Sequence, residues 1–125
     1  MEIILDTNFL VYCAKNKLDY FEEIHNLINE KYELVTLSNV IKELEKLKEK
    51  AKKYKDKISA DLALQLIEKN KIRKINFKEG NTDELIIKLS KKSKKNIVAT
   101  LDREMRKILK RVILINKKNR LILTR

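Results

Sequence analysis

At 125 residues the chain has the length of one domain with a single core, residues 1–125. It carries a net charge of +12, and all of that excess arises late: residues 1–87 hold 16 basic and 16 acidic side chains, while residues 88–125 hold 14 basic ones against Asp102 and Glu104 alone. No apolar run approaches the roughly 18 residues of a membrane span, and Glu2 leads directly into the first strand, so neither a membrane anchor nor a secretory leader is expected and the protein should be soluble and cytoplasmic.

The alternation of strand and helix patterns predicts an α/β domain with a mostly parallel sheet. Residues 2–5 form the first strand, an apolar run that breaks onto Asp6-Thr7-Asn8. Residues 7–15 and 19–31 follow as two helices, the second with Phe21, Ile24, Leu27 and Ile28 on one face. Cys13, the lone cysteine, lies among apolar residues of the first helix, where packing is its expected use; it excludes an intramolecular disulfide. Residues 33–37 are the second strand, and Ser38 is placed to cap the next helix. That helix aligns Val40, Ile41, Leu44 and Leu47 before becoming highly charged over residues 48–57, and residues 58–70 form another amphipathic helix. A weaker third strand, residues 71–76, belongs near an edge. Gly80 punctuates the loop before a helix beginning at Thr82. Residues 96–101 are a strongly apolar fourth strand, followed by a short helix over residues 102–111 that buries Met105, Ile108 and Leu109. Residues 112–115 form a fifth strand, joined through a polar turn at residues 116–119 to Leu121-Ile122-Leu123 as a hairpin partner.

Asp6 and Asp102 each stand where an apolar strand ends and a helix begins. In a parallel sheet both carboxylates then lie at the carboxyl edge, where open α/β sheets place their ligand crevice. Glu43, about one turn into its helix, borders the buried stripe. Asp83 falls in the first turn of its helix and faces the same edge. Each position has a plain structural use: Asp83 and Asp102 suit helix N-termini, Asp6 a turn, Glu43 an ordinary helix. Their shared placement is what points to chemistry. Carboxylates so close repel and raise one another's pKa, and a hard divalent cation such as Mg²⁺ or Mn²⁺ relieves this with all-oxygen ligands. Such a cation activates water and stabilises the leaving oxygen of a phosphodiester. The one-sided basic excess attracts polyanions, although a solvated Lys-rich surface has the same composition. An acidic pocket beside a basic surface is the division of labour expected of a nuclease.

These segments resemble the PIN-domain ribonuclease family. The resemblance is carried by Leu5-Asp6-Thr7-Asn8-Phe9-Leu10, Ser38-Asn39-Val40-Ile41-Lys42-Glu43-Leu44, Thr82-Asp83-Glu84-Leu85-Ile86 and Ala99-Thr100-Leu101-Asp102-Arg103-Glu104, which follow in the family's order across nearly the whole chain. It implies a three-layer α/β/α sandwich and metal-dependent cleavage of single-stranded RNA. Asp6, Glu43, Asp83 and Asp102 match the acidic metal-site positions, with Glu84 as the neighbour able to replace Asp83. Asn8 and Thr100 match polar supporting positions, and Arg103 follows the last acid toward the scissile phosphate. Two branches fit. The expected one is archaeal and eukaryotic small-subunit rRNA processing, favoured by the long Lys-rich stretch after Glu43, the run Asp102-Arg103-Glu104-Met105-Arg106 and the final strand. The other is the VapC-type toxin. The implied partners are RNA and either ribosomal precursor particles or an antitoxin, and a homodimer is admitted.

Other chemistries are excluded or weak. A single histidine, His25, rules out two-histidine ribonuclease catalysis, and no Gly-rich phosphate loop is present. Lys52, Lys53 and Tyr54, with Arg106 and Lys107, are the candidate RNA contacts, Tyr54 by stacking on a base. The charged stretch around them reads equally as a solvated helix that touches nothing. A non-catalytic RNA-binding scaffold is the alternative from another functional class.

Overall fold

The computed structural model describes residues 1–124. In chain order it contains β1 (Glu2–Leu5), α1 (Thr7–Lys15), α2 (Tyr20–Leu27), β2 (Glu33–Leu37), α3 (Ser38–Lys50), α4 (Tyr54–Lys69), β3 (Arg73–Ile75), α5 (Thr82–Ser90), β4 (Ile97–Ala99), α6 (Arg103–Ile108), β5 (Val112–Ile115) and β6 (Leu121–Thr124). The strands form one sheet in the order β3-β2-β1-β4-β5-β6. All pairings are parallel except β5 with β6. This is the expected α/β/α sandwich with a C-terminal hairpin strand.

The apolar character of the central strands explains their position. Ile3, Ile4 and Leu5 of β1 and Ile97, Val98 and Ala99 of β4 are fully buried, as strands covered on both faces must be. Complete burial of a side chain of Leu or Ile size is worth roughly 1.5–3 kcal/mol, so the two strands anchor the core. From β1 the chain moves outward to β2 and β3, then returns to β4 on the other side of β1. The order therefore reverses between β1 and β4, which makes their carboxyl ends the switch point where such sheets bind ligands. The third strand lies at the sheet edge, as its weak pattern suggested.

Several boundaries differ from the sequence expectation. The second helix is shorter than residues 19–31: Asp19 caps it by accepting the Glu22 amide at 3.1 Å, and it stops at Leu27 because Ile28 turns to extended backbone and buries its side chain. Its inward face is also rotated. Tyr20 and Ile24 are buried and Phe21 is exposed, with the Tyr20 ring packing edge-on against Phe9 at 6.1 Å. Ser38 is not a cap: it is the first residue of α3, and its hydroxyl accepts the Phe77 amide at 3.1 Å, tying the helix start to the strand-edge loop after β3.

The charged stretch is not one solvated helix. Ala51 takes extended backbone and breaks it, and α4 begins at Tyr54, earlier than residue 58. The small residues Ser59, Ala60 and Ala63 let α4 approach α1 and α3 closely, and Lys48 pairs with Asp61 across the α3–α4 seam at 3.1 Å. The third and fourth strands are trimmed to Arg73–Ile75 and Ile97–Ala99. The last helix is also shorter than residues 102–111: it buries Met105 but leaves Ile108 exposed, and Leu109, extended just past its end, is only half-buried.

The turns follow their residues. Gly80 has φ +126, a conformation closed to ordinary side chains, and it delivers Asn81 to cap α5 through the amides of Asp83 and Glu84. In the hairpin, Asn119 is left-handed at φ 60 while the Asn116 side chain accepts the Lys118 and Arg120 amides. Cys13 is buried, as expected, and burial pushes its thiol pKa well up. No helix among the described residues is long and apolar enough to cross a membrane.

Candidate active site

The end of β1 delivers Asp6 into the switch point, where it is only 5% exposed. Its backbone remains in the sheet, the amide donating to the Ala99 carbonyl at 3.0 Å. Its carboxylate is held from both sides: Oδ1 accepts the Thr7 amide at 2.8 Å, and Oδ2 accepts the Thr100 hydroxyl at 2.7 Å. Thr100 is fully buried just beyond β4, and its oxygen also accepts the Asp102 amide at 3.1 Å. One threonine thus connects the two strand-end aspartates. Asn8 belongs to the same network, its Oδ1 accepting the Leu101 amide at 3.1 Å and clasping the first turn of α1 to the chain beyond β4.

Asp102 serves the helix and the crevice together. Its Oδ1 accepts the Glu104 and Met105 amides at 2.9 and 3.2 Å, capping α6. Capping is thus a real use of this residue, and it fixes where the carboxylate stands.

Glu43 is reached from two other elements. Thr7 donates to its Oε1 at 2.6 Å, and Thr82 donates to its Oε2 at 2.5 Å. These contacts join the starts of α1 and α5 to the second turn of α3 and bring Asp83, beside Thr82, to the same side. The sequence reading missed Thr7 and Thr82 in these roles. The available signal was their position: each is adjacent in the chain to an aspartate of the acidic set.

The electrostatics agree with this geometry. Burial raises the Asp6 pKa above its ordinary value; the Thr100 and Thr7 hydrogen bonds oppose the rise, and the charges of Asp83 and Glu43 add to it. Asp83 is raised by partial cover of its carboxyl, then by Asp102 and Glu43. Asp6 thus feels the charges of Asp83 and Glu43, and Asp83 those of Asp102 and Glu43. As placed, however, no three His, Cys, Asp or Glu side chains among the described residues converge closely enough to hold one ion. The donor set is of the right kind for a hard divalent cation, being all oxygen and mutually repelling. Holding one requires the four carboxylates to draw closer together than they stand here.

The remaining candidates lie around this centre. Arg103, Arg106 and Lys107 are exposed along α6. Lys52, Lys53 and Tyr54 sit at the α3–α4 corner, with Tyr54 75% exposed. The corner adjoins a groove lined by Thr7, Glu43, Lys46, Leu47, Lys50 and Ala51. His25 is exposed on α2 and takes no part in the hydrogen bonds of the acidic centre.

A family model described as a PIN like domain matches residues 3–120. Ribonuclease VapC4 of Methanocaldococcus jannaschii is 38% identical over 106 residues, covering 84% of this chain and 79% of that protein. The structure of the PIN domain endonuclease Utp24 superposes with a TM-score of 0.75 at 22% identity, covering 96% of this chain and 90% of that one. A domain of a functionally unknown protein from Methanocaldococcus jannaschii superposes at 0.51 with 18% identity, covering 83% and 80%. The two structures establish the likeness of fold; the family model and the sequence relative establish descent, and the chain belongs to the PIN-domain ribonuclease family.

Proposed function

We propose that this protein is a divalent-cation-dependent endoribonuclease that hydrolyses phosphodiester bonds in single-stranded RNA. The observation that carries the reading is the Thr100 bridge: a buried hydroxyl orders Asp6 and Asp102 at the sheet's switch point, within electrostatic reach of Glu43 and Asp83. A solvated turn aspartate would need no such support.

Asp6, Glu43, Asp83 and Asp102 are the residues that would hold Mg²⁺ or Mn²⁺. The cation supplies charge neutralisation at the phosphate and an acidified water. The protein's own part is positioning. Thr100 and the Thr7 amide fix the Asp6 carboxylate in one orientation, Asn8 keeps the two strand ends in register, and Arg103 offers a guanidinium next to the crevice for a phosphate oxygen. Incubating single-stranded RNA with the protein and Mn²⁺ tests the reading. Cleavage should vanish with chelator and with Asp6→Asn; equal cleavage by Asp6→Asn overturns it. RNA binding without any cut product in Mn²⁺ would support the scaffold instead.

Two biological roles follow. Processing of small-subunit ribosomal RNA, with precursor particles as partner, rests on the Lys-rich stretch and the final strand. The 38% identity to a protein named Ribonuclease VapC4 supports a second role, a toxin held by an antitoxin. Induced expression in a foreign host separates them: growth arrest relieved by a small neighbouring gene marks the toxin, whereas accumulation of uncut rRNA precursor on deletion marks the processing factor.

A further inference from the structure

Arg103, Arg106, Lys107 and Lys110, with Leu109, Val112 and Thr124, line a groove of about 420 Å³ between α6 and the start of the β5–β6 hairpin. Four cations face it and, among the described residues, no carboxylate does. Lys107 has Glu104 as a partner at 3.3 Å. Arg103, Arg106 and Lys110 form no ion pair among the described residues. A groove of one sign focuses its field into the solvent and raises the local concentration of anions.

One end of the groove stands beside the acidic crevice, since Arg103, which lines it, directly follows Asp102 at the start of α6. From Arg103 to Ile108 the helix advances about 7.5 Å, and the extended Leu109 carries the chain on to Lys110, room for about two backbone phosphates. Arginine suits phosphate because its paired N–H donors match two oxygens at once. An acidic protein segment would meet the same charge, but it has no reason to run on into a cluster of carboxylates. A phosphodiester chain whose scissile bond lies at that cluster does.

We propose that this groove holds the RNA backbone on one side of the scissile bond, with Arg106 and Lys110 gripping successive phosphates and Arg103 at the mouth of the crevice. The proposal rests on the ribonuclease reading of the acidic site. It is tested by RNA affinity in chelator, where no cutting occurs, as a function of salt. The double variant Arg106→Ala/Lys110→Ala should bind a single-stranded oligonucleotide at least ~10-fold more weakly at moderate salt. Its log–log salt slope should be shallower by about 1.4, the loss of two contacts at roughly 0.7 each. Lys117→Ala/Lys118→Ala removes the same charge from the exposed hairpin turn and should move the slope by less than about 0.3. Thermal melts of both doubles establish that each is folded, as expected for exposed positions.

Equal losses in the two doubles would reduce the groove to general charge and overturn the proposal. So would unchanged RNA affinity in the groove variant, which would leave the groove to an acidic protein surface, or failure of the unsubstituted protein to bind RNA. The two readings fail separately. Groove-dependent binding with no cleavage in Mn²⁺ sinks the nuclease and keeps the groove; cleavage with groove-independent binding does the reverse.

Discussion

Thr100 donates its hydroxyl to Asp6 Oδ2 at 2.7 Å across the junction of β1 and β4, with no solvent access of its own. The same oxygen accepts the Asp102 amide at 3.1 Å. Thr100→Val keeps the shape and removes both functions. A buried carboxylate then loses a donor and a half-buried amide loses its acceptor, at a cost of about 1–3 kcal/mol in stability. Cleavage should fall by ~10–100-fold, the usual consequence of removing a group that orients a metal-binding side chain. Urea melts and initial rates in saturating Mn²⁺ check the two halves. Thr100→Ser, which restores the hydroxyl, should recover most of the rate.

Asp6 is costly to the fold that holds it. Burial favours its neutral form, so its folded pKa lies above the ordinary value of 3.8. A carboxyl shifted this way adds its full stability below the unfolded pKa and loses it as pH rises through the folded one. At neutral pH the ionised group therefore destabilises the cation-free protein. Asp6→Asn, which keeps an oxygen for Thr100, should melt a few degrees higher than wild type at pH 7 and cleave no RNA. The gap in melting temperature should close as pH falls toward 3.8. A gap independent of pH would show that the Asp6 carboxyl is not strained.

This behaviour separates what the sequence displayed from what it concealed. The central strands were legible because burial on both faces makes them nearly pure apolar runs, and Asp6 and Asp102 were legible because each interrupts such a run. The start of α5 was legible through Gly80, whose conformational role is local, while the Asn81 cap was not read. Less was visible where tertiary contacts overrode local pattern. Tyr20 points inward in place of Phe21 because Phe9 offers it an edge-on partner. Ser38 looked like a cap, but the nearby Phe77 amide takes its hydroxyl. The break at Ala51 between two charged helices carries no glycine or proline to announce it. The threonines that hold Glu43 were invisible for a related reason: a hydroxyl beside an aspartate has many local uses, and only the fold brings Thr7 and Thr82 to one side chain 36 and 39 residues away in the sequence.

Asp83 and Glu84 were interchangeable in the sequence and are distinguishable in the structure. Both amides point to the Asn81 cap, at 2.9 and 3.4 Å. The Asp83 pKa is raised by partial burial and then by Asp102 and Glu43, so its charge enters the crevice. Asp83→Asn should lower cleavage by an order of magnitude or more, about the effect of losing an oriented electrostatic group. Glu84→Gln should stay within about twofold, the range of an ordinary surface substitution. The reverse ranking in matched initial-rate assays would move the fourth acid to Glu84.

Glu43 has both carboxylate oxygens engaged by hydroxyl donors, Thr7 at 2.6 Å and Thr82 at 2.5 Å. A carboxylate has about four lone-pair positions, so these bonds orient it and still leave capacity for another partner. Thr82 also begins α5, so its bond sets how far that helix, and with it Asp83, stands from α3. Removing the hydroxyl by Thr82→Val should therefore loosen two acids at once. The expected result is a loss of ~10-fold or more in Mn²⁺ affinity, read directly by calorimetry, with cleavage reduced in proportion. The stability cost should stay near 1 kcal/mol because the site is only half-buried. Thr82→Ser should bind Mn²⁺ nearly as wild type does. If Thr82→Val binds Mn²⁺ unchanged but melts early, the hydroxyl pair merely staples three helices together, and Glu43 is a structural acid.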